Sequence, residues 1–266
     1  MLALDLGASR IRAGVVTPEG VVFARSHAAT PGSAGPEAVV AACIGQLRLV
    51  AQEVAAVQAR PVAIGIAAPG PVDTVRGVII EPPNVGPGFR NVELARAVAD
   101  ALDLPAVLER DTNVAALAEQ AFGAARGIRD FLYITVSTGI GGAIVARGEL
   151  YGGADGMAGE IGHMPVAVDG PPCGCGARGH LEATSSGSGI ARIAAARIAS
   201  GDAQGLAQIG ARSGRALDAH AVADAEDDGD RDAAEIMEYA RAAFAAATVG
   251  LVDVFNPELI VVGGSL

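Results

Sequence analysis

The chain contains no lysine: its 19 basic side chains are all arginine, set against 30 carboxylates for a formal charge of -11. Without lysine there is no Schiff-base chemistry and no Walker-type phosphate loop. Any phosphate handled here is therefore held by backbone amides, hydroxyls, arginine or a metal ion. Tryptophan is absent and aromatics make up only 3% of residues, which removes the stacking platform that single-stranded nucleic acid requires. The acidity also argues against nucleic-acid phosphates or anionic membranes as partners. No apolar run approaches the ~18 residues that span a bilayer, and no basic region precedes Met1-Leu2-Ala3-Leu4-Asp5, so the expectation is a cytoplasmic protein. Of three cysteines, Cys173 and Cys175 lie too close in sequence for a disulfide framework. A metal site or a reduced compartment is the reading.

What the chain does have is 51% hydrophobic and only 18% charged residues, enough for a large aliphatic core in one domain or two. Apolar alternation around Asp5, the polar turn Gly7-Ala8-Ser9, and renewed alternation to Val16 predict a β-hairpin, with a third strand over Val21–Arg25. A helix follows over Glu37–Ala59, then a buried strand over Val62–Ala67, a helix over Val92–Leu102, and a strand over Pro105–Leu108 leading to Arg110, Asp111, Asn113 and a helix over Val114–Gly123. Phe131–Val136, the turn Ser137–Gly142 and Ala143–Ala146 repeat the grammar of the opening hairpin, which suggests two related halves across a cleft. Further on the chain is helical and alanine-rich, with an acidic loop around Asp224–Asp232, a helix over Asp232–Phe255, a buried strand over Leu259–Val262 and the pair Gly263-Gly264 as a turn. The order is mixed α/β.

In the first turn Asp5, Gly7, Ser9 and Arg10 bring a carboxylate, a hydroxyl, a cation and exposed amides together, with Asp5 placed to orient a hydrated Mg²⁺. The same residues also suit an ordinary hairpin. The second turn, with Thr138 and Gly139, has the same content.

These turns, with Gly263 and Gly264 as a third, resemble the phosphate 1, phosphate 2 and adenosine motifs of the actin-like ATPase fold. Within that superfamily Asp5-Leu6-Gly7-Ala8-Ser9, Pro82-Pro83-Asn84, Arg110-Asp111-Thr112-Asn113, Glu160-Ile161-Gly162-His163 and the run Cys173–Glu182 resemble the ROK family, over essentially the whole chain. The resemblance implies a two-lobed, ribonuclease H-like α/β fold with mixed sheets and an interlobe cleft, residues 1–109 forming the smaller lobe and 110–266 the larger. It implies a structural Zn²⁺ on His163, Cys173, Cys175 and His180, with His180 standing where the family usually has a third cysteine. Tetrahedral zinc accepts either set. His163 would use its other ring nitrogen on a sugar hydroxyl, its tautomer fixed by the metal, while Glu160, Glu182 and Asn84 read further hydroxyls.

By the same resemblance Asp111 is the catalytic base that accepts the hydroxyl proton as the bond to phosphorus forms; taken alone it would equally cap the following helix. Arg110 departs from the usual Asn at a sugar-contacting position, and three roles are open to it: pairing with Asp111, meeting an anionic or differently substituted sugar, or turning into solvent. The activity implied is ATP- and Mg²⁺-dependent phosphorylation of a hexose, glucose at its 6-hydroxyl first, with N-acetylhexosamines or fructose as alternatives and polyphosphate as another donor. The competing function is a non-catalytic sugar sensor; DNA binding is disfavoured by the acidity. The family further implies a homo-oligomer, dimer or tetramer. The buried strand ending in Gly263-Gly264 carries the expectation of a truncated C-terminus. The enzymatic reading requires Glu160, His163 and Glu182 to share the hollow that Asp111 faces.

Overall fold

The computed structural model describes residues 1–266 apart from 57–59, 83 and 214–216, so the end of the first expected helix and Pro83 lie outside the described residues. Contacts divide the chain into two units, Met1–Phe122 with Gly153–Met157, and Gly123–Gly152 with Ala158–Leu266. Arg110, Asp111 and the helix they open fall in the first unit, where the sequence reading had put them at the head of the second.

In the first unit, β1 (Leu2–Leu6), β2 (Arg10–Val16) and β3 (Val22–Ala29) form an antiparallel meander. The third strand runs four residues beyond its expected end because Ala28 and Ala29 still pair with Ile11 and Arg10. After α1 (Pro36–Ala56), β4 (Ile64–Ala68) lies parallel to β1. A short hairpin, β5 (Val72–Asp73) and β6 (Val78–Ile79), and α2 (Leu94–Leu102) lead to β7 (Ala106–Arg110), parallel to β4. The order is β3-β2-β1-β4-β7. Strand periodicity sends Leu2, Leu4, Leu6, Ile11, Ile64 and Ile66 to one face, against Val39, Cys43, Leu47 and Val50 of α1 and Leu94 and Val98 of α2. Each such side chain contributes about 1.5–3 kcal/mol on full burial. The opposite face carries the small residues Ala3, Gly14, Gly65 and Ala67 and lines a groove of about 610 Å³ together with Val114 and Leu117. These last two belong to α3 (Asp111–Phe122), which starts directly at the end of β7.

The second unit repeats the design. Strands β8 (Phe131–Val136), β9 (Ile140–Ala146) and β10 (Glu149–Leu150) are antiparallel, and β11 (Leu259–Gly264) pairs parallel with β8, giving β10-β9-β8-β11. This matches β3-β2-β1-β4 strand for strand, so the weak sequence repeat is a real topological one. Gly263 and Gly264 lie within β11, paired with Thr135 and Val136, and do not form a turn after it.

Helices α4 (Leu181–Ser185), α5 (Gly187–Ser200), α6 (Gln204–Ser213), α7 (Ala219–Asp227) and α8 (Arg231–Phe255) complete this unit. Much of the expected acidic loop is helix: Asp218 Oδ1 accepts the Ala221 N–H at 2.9 Å, and Ala219, Val222 and Ala225 bury. Asp230 caps α8 in the same way through Ala233. The buried stripe of α8 is Ala233, Ile236, Ala240, Ala243, Ala247 and Leu251, small residues that admit close helix packing. Among the described residues no helix is long and apolar enough to cross a membrane.

Candidate active site

The first turn is closed by hydrogen bonds that the residue types demand. The Gly7 N–H donates to Arg10 O at 2.9 Å, Thr30 Oγ1 donates to Gly7 O at 2.7 Å, and the Thr30 N–H donates to Ser9 O at 3.1 Å. Thr30, just after β3, thus pins Gly7, 23 residues upstream, a role no local pattern shows. Ser9 and Arg10 are exposed at the tip. Asp5 does not stand alone: its Oδ2 accepts from Arg12 Nη1 at 2.7 Å. The two are direct cross-strand partners, so the signal for Arg12 was its place opposite Asp5.

Asp111 is exposed at the first position of α3, and its Oδ1 accepts the Thr112 N–H at 2.7 Å. Its carboxylate thus takes up one of the free amides of the first helical turn. Arg110 is only 4% exposed, which removes the solvent alternative. Its guanidinium donates to Asn113 Oδ1 at 3.2 Å, its stem lies against Gly70, and Glu109 Oε1 accepts from both the Arg110 N–H and Asn113 Nδ2, at 2.8 and 2.9 Å. Asn84 is exposed with φ of +67°, a left-handed conformation to which asparagine is well suited.

In the second unit the short 3-10 turn Ile161–His163 is pressed onto β9. A Cβ on Gly162 would collide with the Ile140 carbonyl, and one on Gly142 with the Ile161 side chain. Two glycines are therefore what lets His163 sit this close to the sheet. The Cys173–His180 loop folds back on the same place: the Cys173 N–H donates to Ala177 O at 2.8 Å, the Val166 N–H to Gly179 O at 2.8 Å and the Leu181 N–H to Met164 O at 2.9 Å. Gly176 and Gly179 take φ of +94° and +69°, conformations that glycine adopts without strain.

The result is a four-residue cluster. The ligand atoms of His163, Cys173, Cys175 and His180 all lie within 4.8 Å of one another. His163 Nδ1 is 3.2 Å from His180 Nδ1 and 3.9 Å from Cys173 Sγ, and Cys175 Sγ is 3.4 Å from His180 Nδ1. Tetrahedral zinc with bonds of about 2.05 Å to nitrogen and 2.3 Å to sulfur has edges of roughly 3.3–3.8 Å, close to these three separations, and the donor set suits that ion. Both imidazoles turn Nδ1 inward, which leaves Nε2 of His163 as a donor. The Cys173 thiol is pushed up by burial and then by its neighbours, Cys175 and the Glu182 carboxylate among them.

Glu160 is exposed at the start of the 3-10 turn, its carbonyl accepting the His163 N–H at 3.0 Å. Glu182, in the first turn of α4, has Oε2 accepting the Ile140 N–H at 3.1 Å. Thr138, between β8 and β9, is exposed, and the amides of Gly187 and Ser188 donate to Ser137 O and Thr138 O at 2.8 and 3.0 Å. Beside this turn lies a cavity of about 320 Å³ lined by Ser137, Thr138, Gly187, Ser188, Asp218 and His220. A more apolar hollow of about 410 Å³ adjoins Gly263 and Gly264 and is walled by Ile190, Met237, Phe244 and Val262. Ser188 and His220 had no part in the sequence reading. Ser186-Gly187-Ser188-Gly189 repeats the hydroxyl-glycine content of the Thr138 turn and was the available signal for Ser188; His220 had none.

The comparisons agree with this geometry. The chain is 33% identical over 268 residues to a glucokinase of Thermotoga maritima, covering all of this chain and 82% of that one. It is 32% identical over 269 residues to an N-acetylmannosamine kinase of Escherichia coli O157:H7, again covering 100% and 82%. A crystal structure of a ROK family glucokinase from Streptomyces griseus in complex with glucose and AMPPNP superposes with a TM-score of 0.78 at 32% identity, covering 99% of this chain and 82% of that one. These relatives are sugar kinases. With the model of the ROK family matching residues 1–266, the chain belongs to the ROK family.

Proposed function

We propose that the protein is an ATP- and Mg²⁺-dependent hexose kinase, with glucose phosphorylated at its 6-hydroxyl as the first candidate. The observation that carries this is the four-ligand cluster two residues from Glu182, itself bonded to the Thr138–Ile140 turn. It draws a polyol-reading histidine and carboxylate toward a phosphate-type turn. Zinc held by His163, Cys173, Cys175 and His180 would supply rigidity: it fixes the ring of His163 and its Nε2–H as a donor. Glu160, Glu182 and Asn84 supply polar groups for the remaining sugar hydroxyls. In the second unit the amides and hydroxyls of Thr138 and Gly139 serve nucleotide phosphate, with adenosine against Gly263, Gly264 and the hollow beside them; in the first, the Gly7–Arg10 turn offers the same kind of phosphate-accepting amides. Asp5, now paired with Arg12, would be the residue to hold Mg²⁺, which would supply charge neutralisation for the nucleotide.

In the reaction the sugar hydroxyl oxygen bonds to the γ-phosphorus, the bond from that phosphorus to the bridging oxygen breaks and ADP leaves, while the hydroxyl proton passes to the Asp111 carboxylate. The test is ADP release with glucose, N-acetylglucosamine, N-acetylmannosamine and fructose. Asp111→Asn is expected to lower kcat by roughly 10²–10⁴-fold with sugar affinity kept. Undiminished turnover in that variant refutes the assigned base.

The buried Arg110 favours one second reading, a sugar sensor with altered chemistry at the residue next to the base. Saturable sugar binding with no ADP release from any of the four sugars would establish it.

A further inference from the structure

Glu182 has two attachments that a sugar ligand alone does not need. Oε2 accepts the Ile140 N–H at 3.1 Å, and a Cβ on Gly139 would lie 2.5 Å from that same oxygen. The carboxylate thus rests on the Gly139–Ile140 peptide, and a side chain at 139 would push it off that amide. Its backbone is tied into the same feature. The Glu182 carbonyl accepts from Ser186 Oγ at 2.6 Å, and the next two amides, Gly187 and Ser188, hold the carbonyls of Ser137 and Thr138. The segment 182–188 therefore grips the turn through a side chain at one end and two main-chain donors at the other.

We propose that Glu182 is a positioning residue for the nucleotide turn as well as a sugar ligand: Oε2 fixes the Ile140 amide and with it the Thr138–Gly139 peptide, and Oε1 is left to accept a sugar hydroxyl. The two substrates then share one carboxylate. A sugar hydroxyl on Oε1 restrains the carboxylate, and so the turn, before nucleotide arrives. By linkage nucleotide tightens sugar by the same factor. This rests on the hexose-kinase reading for both the sugar and the nucleotide contacts; only the hold of Glu182 on the turn, read by Ile140 exchange, does not depend on it.

Two variants separate the roles. Glu182→Gln keeps an oxygen able to accept the Ile140 N–H but loses the charge; Glu182→Ala loses both. AMPPNP affinity measured by calorimetry without sugar is expected to fall about tenfold in Glu182→Ala, the loss of one bond to a charged acceptor, and to be largely restored in Glu182→Gln. Hydrogen exchange at the Ile140 amide is expected to be fast in the alanine variant and slow in the wild type and the glutamine variant. Glucose affinity should be weakened in both variants. Wild-type AMPPNP affinity and Ile140 protection in a folded Glu182→Ala protein would overturn the positioning role while leaving the sugar reading intact. Unchanged glucose affinity in both, with the nucleotide effects as expected, would instead refute the sugar half. Should the alanine variant not fold, the glutamine variant decides: a folded Glu182→Gln protein with an unprotected Ile140 amide sinks the proposal.

Discussion

At the scale of the residue, partners decide what each candidate side chain does. Asp5 and Arg12 form an ion pair that is half exposed, and such pairs contribute little to stability; an incoming cation exchanges it at small cost. Arg110 is the opposite case, a buried cation whose guanidinium reaches Asn113 Oδ1, a contact that the shorter, neutral Asn in its place would not reproduce. Cys43, buried under the first sheet, has its thiol pushed up to about 12 by burial. The folded state then holds its proton above pH 9, where the unfolded chain has released it. Stability contributed by that group is full below pH 9 and is lost as pH rises toward 12, at up to about 1.4 kcal/mol per pH unit. Urea denaturation between pH 8 and 10.5 should show a steeper alkaline decline for the wild type than for Cys43→Ala; parallel curves would mean that the thiol is not the group responsible.

At the scale of the element, glycines set how closely backbone segments approach. Gly162 lies over the Ile140 carbonyl, so Gly162→Ala must push the 3-10 turn off β9 and carry His163 away from Cys173 and His180. Overpacking of this kind costs about 1–3 kcal/mol. The variant is expected to melt lower, to hold less than one zinc per chain, and to lose sugar affinity before nucleotide affinity. A stoichiometric zinc content with a wild-type melting temperature would show that the turn accommodates the methyl group. Much at this scale was legible beforehand. The opening hairpin, the helices after β3 and β6, the Phe131–Val136 strand and the last helix all show their apolar periods in sequence. The acidic stretch was misread because charge on the outer face of α7 hid an inner stripe of Ala219, Val222 and Ala225. Gly263 and Gly264 were misplaced because their strand conformation is imposed by pairing with β8, a contact more than a hundred residues distant.

At the scale of the whole molecule, the two units are built on one strand order, and among the described residues the histidine-cysteine cluster lies in the second. Metal binding is folding energy for the part that supplies the ligands. Removal of zinc by a strong chelator is expected to lower the melting transition of the second unit while the first retains its own, as read by calorimetry. Elemental analysis should find about one zinc per chain, and Cys173→Ser should lack both the ion and the chelator response. A single melting transition insensitive to chelator would rule out a stabilising metal at this site.

What the amino-acid order determined unaided is everything carried by spacing along one segment: the alternation that makes the sheets, the glycine-hydroxyl turns, and two histidines and two cysteines within 18 positions, from His163 to His180. What only the tertiary structure decided is which groups those residues meet. Thr30 against Gly7, Arg110 against Asn113 and Gly70, and above all Glu182 against the Ile140 amide are contacts between segments that no local period brings together. The physical reason is that a side chain's role follows from the donors and acceptors around it after folding, and those are supplied by whichever strands and helices the core happens to draw alongside.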